Sequence, residues 1–354
     1  MTTAILTRSD VRVSSASDAD VDGDWGRTVE ALGTSGLAHA GQWRTVIRNT
    51  YGHDPLYLSA EDGDGGRGVL PAFIVRRPVG GTVVSSMPFL DGGGPCGSSA
   101  AVVDALVARL LDEARRVGAH AVELRCAQRL AVDWEPMEHK VNLSLAVPRD
   151  AGRLWARFDG SVRNQIRKAE RAGLSVVFGG AEQLDEFYTI FATRMRELGS
   201  PVHARLLFTV IFEAFRDRAR VALVRKGESP IGGLVAVAFK DVLTVPWASC
   251  ASAYRSLCPN MLLYWETIGA ACREGFQSFD FGRSSRGSGT YRFKRQWGAE
   301  EQPLFWYTIP MDRRRGRAVP GTSRATALLS GSWKHLPLAV TRTLGPRIRR
   351  YLTQ

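Results

Sequence analysis

The sequence predicts an α/β protein in which a central sheet receives helices on both faces. Segments of helical and of strand periodicity alternate through both halves of the chain, three strand-like segments follow one another without a helix between them, and helix-period segments end on glycine. At 354 residues and 44% hydrophobic content, the chain can bury a sizeable core, in two domains or one large one.

Residues 1–24 carry five aspartates, small polar residues and little apolar content, which predicts a mobile leader, with order beginning near Trp25. From there "WGRTVEALGTSGLAHAGQWRTVIRNTY" reads as helical, "PLYLSA" and "RGVLPAFIVRRPV" as strands, and "DGGGPCGSSA" as a glycine-rich loop. "AAVVDALVARLLDEARRVG" has helical spacing and stops at Gly118. "AHAVELRC" and "KVNLSLAV" follow as strands, so residues 25–148 form a first domain.

The second domain, residues 149–310, repeats the style without sequence similarity to the first. "AGRLWARFDGSVRNQIRKAERAG" gives helices, "LSVVFG" a strand, and residues 182–198 and 203–218 two more helices. "RVALVRKGESPIGGLVAVAFKDVLTVPWAS" reads as three strands with turns at "GES" and "KD". "NMLLYWETIGAACREG" is a helix closed by Gly275, with "QSFDFG" and "PLFWYTIP" as final strands.

Composition excludes several functions. No apolar run approaches the ~20 residues of a membrane span, and the N-terminus lacks a signal-peptide core, so a cytoplasmic protein is expected. The five cysteines form no C-x-x-C, and no histidine stands at triad or metal spacing; disulfides, zinc and Ser-His-Asp chemistry are not expected. The net charge of +12 lies mostly in residues 311–354, where ten basic residues oppose Asp312 alone. The body is nearly balanced, which speaks against DNA binding. In "WKHLPLAVTRTLGPRIRRYL" apolar and basic residues mix, so residues 331–354 suit either an anionic membrane surface or docking on the body, with Pro337, Gly345 and Pro346 breaking them into short helices.

Three constellations carry chemistry. Arg163, Arg167 and Arg171 line one face of a helix whose other face holds Val162, Ile166 and Ala169; the stripe is either phosphate-binding or a solvated face. At "LTVPWASCASAYRSLCPN", a proline in strand context beside Trp247 suggests a strand that splays and opens the sheet. Pro259 and Asn260 then start a helix whose first-turn amides can meet an anion. Lastly, "FDFGRSSRGSGTYRFKRQWG" places Arg283, Arg286, Arg292, Lys294 and Arg295 within 13 residues, with no acid after Asp280. Phe279, Phe281, Tyr291, Phe293 and Trp297 interleave with these cations, as expected of a glycine-rich anionic-ligand loop anchored by its aromatics.

"VRNQIRKAERAGLSV", "ELGSPVHARLLF", the stretch "PWASCASAYRSLCPNMLLYWETIGAACREGFQSFDFGRSSRGSGTYRFKRQWGAEEQPL" and "SWKHLPLAVTRTLGPRIRRYL" together resemble FemAB-related proteins associated with PEP-CTERM/exosortase systems. These belong to the FemABX-like, BioF-like branch of the GNAT acyltransferase superfamily. The resemblance covers Leu154–Tyr351 strongly and residues 25–150 only generally. It implies tandem GNAT-like domains and transfer of an acyl or aminoacyl group to an amine, with acyl-CoA or aminoacyl-tRNA as a cosubstrate and no tightly bound cofactor. It also implies an acceptor among cell-envelope or exopolysaccharide precursors. "YRSLCPN" stands where a Q/R-x-x-G-x-G/A pyrophosphate loop is found in CoA-binding relatives.

The phenylalanine–lysine pair of the family matches Phe293 and Lys294. Lys294 is expected to stabilise the oxyanion or to grip a phosphate. Arg283 and Arg292, with Ser284 and Tyr291 in the same stretch, are expected to bind anionic parts of the substrates, and Trp247, Asn260, Arg163 and Arg167 to line the cleft. Tyr254, Asp280 or a water accepts the ammonium proton. His203, after "GSP", either lines the cleft or is structural. Two other classes fit the same residues: a non-catalytic polysaccharide- or precursor-binding protein on this scaffold, and a basic RNA-binding accessory.

Overall fold

The computed structural model describes residues 11–312 and 330–353. The described parts of Met1–Arg44, His53–Met137 and Phe305–Arg317 form one unit, those of Thr45–Gly52, Glu138–Leu304 and Ala318–Gln354 the other. Each is built on a mixed seven-stranded sheet.

The first sheet contains β1 (Arg12–Ser15), β2 (Asp54–Glu61), β3 (Arg67–Arg76), β4 (Thr82–Ser86), β5 (Cys96–Gly97), β6 (Ala121–Cys126) and the chain's last strand, β14 (Phe305–Pro310). Its order is β1-β2-β3-β4-β6-β14, with β5 on β3. Short helices α1 (Asp18–Asp20) and α2 (Gly26–Ala31) and the longer α3 (Gln42–Tyr51) precede β2. Helix α4 (Ala100–Arg116) starts where the Ser99 hydroxyl caps Val102 and buries Val102, Leu106, Val107 and Leu110 in the core of this sheet.

The second sheet runs β13 (Glu300–Pro303), β7 (Lys140–Ala146), β12 (Ser278–Ser285), β11 (Val242–Cys250), β10 (Ser229–Phe239), β9 (Ala219–Lys226) and β8 (Leu174–Gly179). Its helices are α5 (Ala151–Arg157), α6 (Gly160–Arg171), α7 (Leu184–Glu197), α8 (Arg205–Phe215), α9 (Pro259–Glu274), α10 (Gly289–Arg295) and α11 (Leu338–Arg349). The β9–β10–β11 meander and the Gly275 stop of α9, at φ +85°, stand where the sequence puts them.

Four expectations are corrected. Residues 12–15 of the expected leader are an edge strand pairing Arg12–Ser15 with Leu58–Glu61; backbone ladder bonds recruit it, so its polar composition carries no warning. The expected boundaries at 148 and 310 also fail: β7 pairs with β12 and β13, while β14 pairs with β6. Periodicity marks a strand but is silent about its partner. The glycine-rich loop is shorter than expected, because β12 continues to Ser285 and the Ser288 hydroxyl caps α10. Finally, α11 runs unbroken through Gly345 and Pro346, and Gly345 packs so close to Val202 that a Cβ there would lie 3.0 Å from the Val202 amide nitrogen. Residues 313–329 of the expected tail and residues 1–10 of the leader lie outside the described residues.

Candidate functional site: the parting of β11 and β12

β11 and β12 pair in parallel only from Val242–Thr244 against Ser278–Asp280, although β11 continues to Cys250 and β12 to Ser285. Beyond Thr244 the two strands part, as Pro246 and Trp247 suggest from sequence, and the amides and carbonyls on the β12 side of β11 have no ladder strand among the described residues.

A β-bulge builds this opening. The β12–β7 register shifts between Asp280 and Arg283, where Gly282 takes φ +72°, a conformation a side chain would strain. Asp280 Oδ1 accepts from the Gly282 amide at 2.7 Å and from Asn142 Nδ2 at 2.9 Å. Lys294, buried on α10, donates from Nζ to the carbonyls of Gly282 at 2.8 Å and Arg283 at 2.7 Å. Two residues read as catalytic thus converge on the parting and fix its shape. Its aromatic wall is the cluster that interleaving anticipates: Phe281 stacks on Tyr264 of α9 at 5.5 Å, and Phe293 and Trp297 pack edge-on at 6.2 Å.

Ser284 follows the bulge and pairs with Val141 in the core. It is 4% exposed, and its hydroxyl has no hydrogen-bond partner among the described residues; Trp297 Nε1 shares that condition. The buried Ser284 hydroxyl, left open near the end of β12, is available to a ligand.

The charge of Arg283 acts on a second cluster. His203 is buried, stands edge-on to Trp247 at 6.2 Å and bonds Tyr51 Oη through Nδ1 at 2.7 Å. Arg349 of α11 donates from Nε to His203 Nε2 at 3.2 Å; a guanidinium can only donate, so Nδ1 carries the imidazole proton and donates to Tyr51. Burial, then the positive charges of Arg349 and Arg283, holds His203 well below the usual histidine range. His139 is lowered by burial, then by Lys140 and Arg283. Burial pushes the Tyr51 hydroxyl far up. Sequence reasoning missed Tyr51, Asn142 and Arg349, because each reaches the site from an element whose pairing or docking is non-local.

The remaining expected residues stand apart. Tyr254 lies in the turn between β11 and α9 with Lys226 Nζ 5.9 Å from its ring centroid; Lys226 ends β9, three strand positions from Asp280 on β12. Tyr291 donates to Glu301 at 2.9 Å on the surface, and Arg292 bonds the Gly287 carbonyl at 2.9 Å, closing the turn. Arg163 reaches the Ala156 carbonyl at 3.4 Å and Arg167 covers the Trp155 ring at 5.6 Å, so both hold α5 against α6. Asn260 is exposed in the first turn of α9, which has no side-chain cap. A groove of about 660 Å³ at the β8 edge, lined by Phe178, Phe212, Arg216 and Arg220, holds none of the expected site residues.

Residues 156–295 match the model of the acetyltransferase (GNAT) domain family. No curated protein matches the chain. Among solved structures, FemX is similar at 12% identity and a TM-score of 0.63, over 84% of this chain and 97% of that one. The C-terminal domain of a putative lysylphosphatidylglycerol synthetase from Agrobacterium fabrum is similar at 13% identity and 0.55, over 89% and 97%. L-PGS from Bacillus licheniformis is similar at 13% and 0.54, over 94% and 98%. At such identities these likenesses concern the fold. Residues 156–295 therefore match an acetyltransferase (GNAT) domain, within a chain whose fold is like that of FemX.

Proposed function

We propose that the chain transfers an acyl or aminoacyl group from acyl-CoA or aminoacyl-tRNA to an amine on a cell-envelope or exopolysaccharide precursor. The observation that carries this reading is the parting of β11 and β12 inside the acetyltransferase-type domain, braced by Asp280 and Lys294. Support for the envelope acceptor comes from fold likeness to FemX and to the C-terminal domain of a protein named as a putative lysylphosphatidylglycerol synthetase, and from the narrower sequence resemblance to exosortase-associated proteins.

An extended, amide-bearing donor arm pairs with the open β11 edge, and its anionic end meets the first turn of α9 at Pro259–Asn260. The amine nitrogen attacks the donor carbonyl carbon. A C–N bond forms, and the C–S bond of a thioester or the C–O bond of an ester breaks. The leaving thiolate or alkoxide takes a proton, while the attacking nitrogen loses one. Asp280 stands at the parting and Tyr254 over Lys226, which supports Asp280 as the proton acceptor. Lys294 keeps positive charge beside the developing oxyanion and holds the bulge; Ser284 donates to donor or acceptor.

Supply of radiolabelled acetyl-CoA or charged tRNA with an envelope-precursor fraction tests this. Label in a hydroxylamine-stable amide is expected with one donor, and label from neither contradicts the proposal. A non-catalytic binding protein is the second reading, favoured by the commitment of Lys294 Nζ to two backbone carbonyls; donor binding without any transfer would select it.

A further inference from the structure

Helix α11 has two unlike faces. Its inner face docks on the second unit: Thr341 and Gly345 are buried, Arg342 lies 5.2 Å over the Tyr188 ring, Arg349 bonds His203 and Arg350 bonds the Tyr51 carbonyl. Its outer face leaves Val340, Leu344 and Ile348 exposed at 36%, 39% and 41%, and Leu352, just beyond the helix end, is exposed at 41%. The three helical positions recur every four residues and so form one stripe, which Leu352 follows in sequence. Nine large hydrophobic residues are exposed among the described residues, and four of them lie on this short segment. That clustering is not the single scatter expected of an ordinary surface.

The charges point to the partner. Between Ser330 and Thr353 the chain has Lys334, Arg342, Arg347, Arg349 and Arg350 and no acidic residue. Arg347 is exposed, and at three residues beyond Leu344 and one before Ile348 it borders the stripe. Acidic residues of α7, the helix against which α11 packs, are already paired: Asp185 with Arg205, Glu186 with Arg225, and Glu197 with Arg194. No helix among the described residues is long and apolar enough to cross a membrane. An aliphatic stripe bordered by arginine, on a helix too short and polar to span, matches a surface that lies in the plane of an anionic bilayer.

We propose that the outer face of α11 binds anionic lipid surfaces, with Val340, Leu344 and Ile348 entering the acyl boundary and Arg347 and Lys334 at the phosphate level. The inner face keeps its contacts with His203 and Tyr51 throughout, so the lipid-bound helix is the one that reaches the second cluster of the site.

Vesicle flotation of the full chain, without donor or acceptor, tests this independently of any transfer reaction. Vesicles of phosphatidylcholine with phosphatidylglycerol should carry the protein, and pure phosphatidylcholine or high salt should reduce the floated fraction by about tenfold. Leu344→Ser combined with Ile348→Ser should reduce it by about tenfold on the anionic vesicles, with unchanged circular dichroism and melting temperature because both side chains are exposed. Arg347→Glu, a change on the surface alone, should do the same. Flotation equal for wild type and variants, or absent for wild type on anionic vesicles, overturns the proposal. So does a concentration-dependent dimer in light scattering that the double variant abolishes while flotation stays unchanged, since a second copy of the chain would then occupy the stripe.

Discussion

Lys294 Nζ lies 2.8 Å from the Gly282 carbonyl oxygen, so the one buried ammonium of α10 is spent on the backbone of the bulge that parts β11 from β12. Lys294→Met therefore removes more than a charge. It strands two carbonyls, and chemical denaturation should show a loss of about 3 kcal/mol. Turnover should fall by about 10²-fold as the opening loosens, and Lys294→Arg should restore neither quantity. Wild-type stability in Lys294→Met would remove the bracing role.

Ser284→Ala should act in the opposite sense on stability. The wild-type hydroxyl is buried without a partner among the described residues, so its removal relieves desolvation and should stabilise the free protein by about 1 kcal/mol. Loss of a hydrogen bond to bound substrate should meanwhile raise KM by about tenfold. Equal KM with raised stability would mean that the hydroxyl faces no ligand.

Gly282→Ala forces a side chain into φ +72° and sets its Cβ 3.4 Å from the Val245 carbonyl oxygen. We expect a cost of about 1–2 kcal/mol in thermal unfolding, together with lost turnover, since Val245 begins the parted stretch of β11.

His203 sets a pH dependence. Its folded-state proton affinity is lowered by burial, then Arg349 and Arg283, so the unfolded chain takes up the proton first as pH falls. Stability contributed by the neutral ring is complete above the ordinary value of 6.5 and declines below it, by about 1.4 kcal/mol per pH unit at most from this one group. Melting between pH 8 and 5 should therefore fall less steeply in His203→Gln, and identical slopes would contradict the assignment. The same series on Arg349→Gln should show His203 partly released.

Much of the site was legible because its signals are local. Pro246 within a strand marks a splay by its own backbone limits, and the interleaved Phe281, Phe293 and Trp297 announce a packed wall, whereas Gly282 reads as a loop glycine and its bulge in β12 shows only in the ladder with β7. The roles of single cations were not legible. Arg163, Arg167 and Arg292 look like ligands in a string of letters, yet each is taken up by a nearby carbonyl or ring that only the fold brings within reach. Non-local pairing hid the rest. Asn142 sits on a strand that the chain order assigns to the first half, and the ladder with β12 places it beside Asp280. Arg12–Ser15 join an edge through backbone bonds that no side-chain pattern encodes.

In the proposed reaction the parting of β11 and β12 receives the acyl donor. Hydrogen–deuterium exchange of the full chain with and without acetyl-CoA, and with and without charged tRNA, reads it directly. With the true donor, amides of Val245–Cys250 and the first turn of α9 at Asn260–Leu262 should slow together, while those lining the groove at the β8 edge stay unchanged. Protection confined to that groove or to the first sheet, or no change in Val245–Cys250 at donor concentrations that support transfer, would rule out this place for the donor.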